Sequence, residues 1–218
     1  DHIVGQNLTG GGWTRRHDTV KSELNSCCGW AGLEAVCEPF GLFGQFLPQQ
    51  PLNRVDYRRT RVCLRPDFLF QLPLPSGQVQ RRIADVKTIS LGVPSYYKPG
   101  AGGKRGVEIR DTEVPGEYKR TAAKMDRSLG HADGQGPVTR RLTEYGGVMP
   151  LCFGGHSEGS EEVHNLIDIL ATARLKKVGL QRGRPGSDQE LAIITSQLRR
   201  RISAATVRAS FTLLLERM

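Results

Sequence analysis

Asp67, Asp85 and Lys87 are the residues whose types and spacing best suit chemistry. Asp85, Val86 and Lys87 are consecutive in a strand-like segment, so the carboxylate of Asp85 and the ammonium of Lys87 project from one face. Asp67 follows Pro66 on the preceding strand-like segment, and antiparallel pairing sets residues of adjacent strands side by side. Two carboxylates and an ammonium suit hydrolysis of a phosphodiester. A hard Mg2+ ion, with Mn2+ able to substitute, takes oxygen ligands: Asp67, Asp85, the carbonyl of Val86 and the substrate phosphate. The metal lowers the pKa of an attacking water, which Lys87 would orient or deprotonate while stabilising the pentavalent phosphorus. The plainer reading of the same residues is an exposed ion pair on a surface hairpin, worth little.

The elements that must position these residues follow from periodicity. Val62, Leu64, Phe68 and Phe70 stand at alternate positions, Pro73 to Gly77 turns the chain, and Val79 to Ile89 runs back, which predicts a hairpin of two long strands. Upstream, Asp18 is the expected N-cap of a helix carrying Val20, Leu24, Cys27, Cys28 and Ala31, stopped by Gly32 and followed by a short strand-like run from Leu33 to Glu38. Downstream, Ser90 to Asp111 is expected as a loop that touches substrate, and Pro115 opens a helix bearing Tyr118, Ala122, Met125 and Leu129. A short helix from Val138, a buried strand from Gly147 to Phe153, a helix capped at Ser157 or Ser160 and an amphipathic helix from Asp188 complete the chain. The fold class is therefore α/β, with an α-β-β-β-α-β core. The expected divisions are a flexible lead-in over residues 1–12, the core over 13–180 and a C-terminal helical extension over 181–218.

Pro66-Asp67 and Asp85-Val86-Lys87, set in that order of elements, resemble the PD-(D/E)XK, or restriction-endonuclease-like, nuclease superfamily. A closer resemblance is to the restriction-like endonuclease domain of reverse-transcriptase retroelement proteins. It is carried by Arg16-His17-Asp18, Arg65-Pro66-Asp67 and Asp85, over roughly residues 14 to 90 and more loosely over the strand ending at Phe153 and the helix after it. Lys87 is a departure, because many such elements lack a lysine there. The resemblance implies a Mg2+-dependent DNA endonuclease with an acid on the first helix completing the metal site. Glu23 is that candidate, and Glu34 and Glu38 on the first strand are the alternatives.

Thirty-one Lys and Arg against 22 Asp and Glu give a net charge of +9, which attracts polyanions. DNA is the expected partner and RNA stays open. Arg16, His17, Tyr118, Lys119 and Lys124 are candidates for substrate contact, and Arg199, Arg200 and Arg201 give the last helix a basic side. The same charges also serve as a solvated face. Five cysteines with no CxxC pair argue against a disulfide framework or a structural zinc and fit a reducing, intracellular compartment, nuclear if the chain comes from a eukaryotic retroelement. No membrane-spanning run is present. Opening on Asp1, the chain reads as part of a larger polypeptide, and a homodimer is compatible with the composition. A different class of function, a binding module that keeps the nuclease fold without turnover, is the rival reading.

Overall fold

The computed structural model describes residues 12–39, 41–47, 63–74, 77–89, 102–155 and 157–215. The expected lead-in up to residue 11 lies outside them, as do residues 90–101 of the expected loop. In chain order the main elements are α1 (Gly12–Ala31), β1 (Ala35–Cys37), β2 (Phe68–Pro73), β3 (Val79–Thr88), α2 (Gly102–Ser128), α3 (Pro137–Glu144), β4 (Val148–Phe153), α4 (Glu161–Lys177) and α5 (Ser187–Leu215). The chain is mixed α/β, with one four-stranded mixed sheet in the order β1-β2-β3-β4. Among the described residues no helix is long and apolar enough to cross a membrane.

Two compact units divide the chain, one comprising Asp1–Glu34, Val86–Asp111 and Pro150–Met218, the other Ala35–Asp85 and Thr112–Met149. In the first, α1, α4 and α5 pack against one another through Leu24, Cys27, Leu166, Leu170, Leu198 and Ile202, all buried. The C-terminal helix, expected as an extension beyond residue 180, thus supplies one wall of this helical core. Helix α1 starts at Gly12, so Asp18 is not its N-cap but an interior residue paired with Lys21 at 3.6 Å. The buried stripe explains the early start, because Arg16, 5% exposed, precedes Val20 by one helical turn. Gly32, at φ +80°, ends the helix. Carbonyls at that end also accept from α4: Arg174 bonds the Trp30 carbonyl at 3.2 Å and Lys177 bonds that of Gly29 at 3.4 Å.

In the second unit β1 and β3 both pair antiparallel with β2, in the registers Cys37↔Phe68 and Phe68↔Ala84. Phe68 and Phe70 share a face two residues apart and stack with centroids 5.1 Å apart. Helix α2 corrects the expected loop through Asp111 and the expected helix start at Pro115, since it begins at Gly102 and carries Pro115 in its interior. Glycines and a proline disfavour a helix locally, but Val107, Val114, Tyr118, Ala122 and Met125 are all buried at helical spacing, and that burial outweighs propensity.

Asp126, fully buried near the end of α2, caps α3 from a distance. Gly136 offers no side-chain cap and Pro137 no amide, so the amides of Val138 and Thr139 donate to the two Asp126 oxygens at 2.9 Å each. A Cβ on Gly136 would lie 2.5 Å from Asp126 Oδ1, so only glycine fits. Burial alone would push the Asp126 carboxyl up, but hydrogen bonding from Thr139 and the amides of Val138 and Gly136 outweighs it and holds the group below the usual range. Asp126→Ala is expected to cost about 2–4 kcal/mol, the sum of a lost cap and buried amides without acceptors. Because the folded pKa is depressed, this stabilisation is present above the ordinary value of 3.8 and is lost as pH falls through the lower folded value. Urea melts of wild type and variant should therefore converge as pH falls well below 3.8; a gap as wide in acid as at neutrality contradicts the assignment.

Candidate active site

The β2–β3 ladder brings two carboxylates to one end of the second unit. The paired register ends at Phe68↔Ala84, with Asp67 just before Phe68 and Asp85 just after Ala84 along the chain. The Asp67 amide donates to the Ala84 carbonyl at 2.8 Å, fixing the chain just outside β2 to β3. On its other side the Asp67 carbonyl accepts the Glu38 amide at 2.7 Å. Glu38 and Asp67 are thus backbone neighbours, and Asp85 follows the residue that Asp67 bonds. Glu38 has φ +48°, a left-handed conformation uncommon outside glycine that re-aims a side chain at a strand end.

Asp85 is 4% exposed and accepts a hydrogen bond from the Tyr118 hydroxyl at 3.2 Å. Helix α2 therefore holds one carboxylate oxygen in a fixed orientation. Tyr118, 8% exposed, belongs to this site as a support for Asp85 and not as an exposed groove residue. Asp67 is half-buried. Two residues beyond Asp85 on the same strand, and so on the same strand face, stands half-buried Lys87, with Val86 fully buried between them.

Among the described residues no group of three or more His, Cys, Asp or Glu forms a ready metal cage. The donor set nonetheless fits Mg2+, which is commonly held by one or two carboxylates with substrate phosphate and water completing its shell. Asp67, Asp85 and the Val86 carbonyl are hard oxygen donors of that kind.

The other predicted site residues are distributed over three helices. Glu23 lies on α1 in the first unit, where its Oε1 accepts from Arg201 Nε at 2.8 Å, and Arg201 also donates to Ser26 at 2.9 Å. Glu23 and Arg201 thus neutralise each other. Glu23→Ala is expected to lower stability by about 1 kcal/mol, as befits a partly exposed ion pair with good geometry, and to leave any hydrolytic rate intact; a rate falling as far as in an Asp67 variant would return Glu23 to the metal. Beside it, burial pushes the Cys27 thiol up to about 11 against the opposing charge of Arg201, and burial with Cys27 pushes Cys28 up to about 12. Neither thiol is poised as a ligand or nucleophile.

Arg16 is buried and His17 half-buried on α1, while Lys119 and Lys124 are exposed on α2. Arg199 and Arg200 are exposed on α5 and border an open groove of about 580 Å³ with Arg182, Asp188 and Leu191. The Tyr118 bond to Asp85 spans 33 residues and leaves no local signal in the sequence. No family model matches the chain, and neither a curated protein nor a solved structure matches it.

Proposed function

We propose that this chain is a Mg2+-dependent DNA endonuclease of the PD-(D/E)XK kind, the nicking domain of a retroelement or viral polyprotein. The observation that carries the reading is the neighbouring placement of Asp67 and Asp85 at the end of the β2–β3 ladder, with Asp85 buried and held by Tyr118. A protein that only binds nucleic acid gains nothing from carboxylates where a phosphate must sit, because like charges repel. That argument weighs against the rival, a binding module that keeps the fold without turnover.

In this mechanism Asp67, Asp85 and the Val86 carbonyl hold Mg2+, whose chemistry when bound is to neutralise phosphate charge and acidify a water. Tyr118 positions Asp85 by donating to one of its carboxylate oxygens. Lys87, on the same strand face as Asp85, orients the water and neutralises charge that develops on the phosphoryl oxygens. The exposed cations Lys119, Lys124, Arg199 and Arg200 would contact phosphates without reading bases.

The test is incubation of the chain with circular single-stranded and supercoiled duplex DNA, and with circular RNA, in Mg2+, Mn2+ or EDTA. Nicked or linear DNA in either metal and intact circles in EDTA are expected, since circles exclude cleavage that needs an end. Circles left intact in all conditions would sink the enzyme reading; cleavage of RNA circles alone would move the substrate from DNA to RNA.

A further inference from the structure

The turn between α3 and β4 gathers positive charge without matching acid. Tyr145, 4% exposed, has the guanidinium carbons of Arg81 and of Arg141 each 5.7 Å from its ring centroid, and Phe43 meets it edge-on at 6.3 Å. At the next residue the chain turns with Gly146 at φ +70°, where an added Cβ would lie 3.4 Å from Arg82 Nε. All these residues belong to the second unit. Among the described residues only one carboxylate faces the three guanidiniums, Glu144, 3.4 Å from Arg141.

Three hydrogen-bond donors here are buried and meet no acceptor among the described residues: Arg82 Nε, Arg141 Nε and the Tyr145 hydroxyl. Buried donors are nearly always satisfied, and exceptions mark a ligand, ion or water. Arg81 is exposed and Arg82 and Arg141 are half-buried, so the cluster opens to the surface. Planar guanidiniums, held here by an aromatic ring, fit the oxygens of a phosphate. Arg81 also shares a strand face with Asp85 four residues on, about 13 Å away at the rise of a β-strand. That distance is about four nucleotides at 3.4 Å of rise per nucleotide.

We propose that the Tyr145–Gly146 turn is a phosphate site in which Arg81 and Arg141, which share the Tyr145 ring, take a backbone phosphate of a nucleic-acid strand, a few nucleotides from the bond cut at Asp67 and Asp85, while Arg82 beside Gly146 adds positive charge. The affinity for phosphate follows from the arginines and the buried donors; its source in a nucleic-acid strand rests on the nuclease reading.

The experiment measures binding of a fluorescent 20-nucleotide duplex by the full chain in EDTA, where no cleavage intervenes, across a salt series. An Arg81→Gln/Arg82→Gln/Arg141→Gln variant is expected to bind about tenfold more weakly, with a log–log salt slope shallower by about 0.9, the value for one phosphate contact. Arg81→Gln alone, at an exposed position, should weaken binding about threefold, and it keeps the test valid if the triple variant does not fold. Unchanged affinity and slope in a variant with wild-type circular dichroism overturns the site. Displacement of the duplex by millimolar inorganic phosphate from wild type but not from the triple variant supports the phosphate site. Phosphate binding that depends on the arginines while duplex affinity does not would overturn the backbone assignment. Loss of binding in the variants together with no nicking by wild type would retain this site and dismiss the nuclease; nicking with unchanged binding would do the reverse.

Discussion

Asp85→Asn is expected to nick supercoiled DNA at least about 10³-fold more slowly than wild type while folding and binding DNA normally. The loss is that of a metal ligand and of the electrostatic stabilisation it organises, an effect of this order or greater in enzymes whose chemistry depends on preorganised charge. The buried bond from Tyr118 to Asp85 makes asparagine a better probe than alanine. Asparagine keeps an acceptor for the hydroxyl and fills the same volume, whereas alanine would leave a cavity and a donor to be rehydrated. Asp67→Asn should behave alike, with less risk to stability because Asp67 is half-buried. Affinity for DNA should hold or rise, since a charge that repels phosphate is gone. Near-wild-type rates in both variants would remove these residues from the site.

Lys87→Ala is expected to lose about 10² to 10⁴ in turnover, the range for a group that moves or holds a proton in the transition state. Unlike the aspartate variants it should keep its affinity for Mn2+ when titrated calorimetrically, because an ammonium is no ligand. Equal loss of metal affinity in the Lys87 and Asp85 variants would show that the two act together on the strand's structure and not in separate roles.

Periodicity marks where strands lie but not where they start: Leu64, expected on one long strand with Phe68, precedes the six-residue β2, and Val62 lies outside the described residues. Alternation at Phe68 and Phe70, the turn before Val79 and the apolar run into Phe153 all mark strands that the structure contains. That Asp67 and Asp85 lie toward the same end of one hairpin is likewise readable, but the Asp67 amide bonding Ala84, one residue off the ladder's register, is not. What sequence hides is set by contacts remote along the chain. Glu23 sits at the edge of an apolar stripe, where a metal ligand and a surface acid look alike, and its partner Arg201 lies 178 residues away. Helix α2 extends back over glycines because Val107 continues the buried stripe, a tertiary effect that local propensity opposes. For Tyr118, spacing marks a buried helix face without naming what the hydroxyl meets.

The most direct measurement is the rate at which the wild-type chain and Asp85→Asn, purified identically and stripped with EDTA, convert supercoiled plasmid to open circles when Mg2+ is restored. The proposed site requires rapid conversion by wild type and none above background by Asp85→Asn; equal rates for the two proteins, or intact plasmid with both, would contradict it.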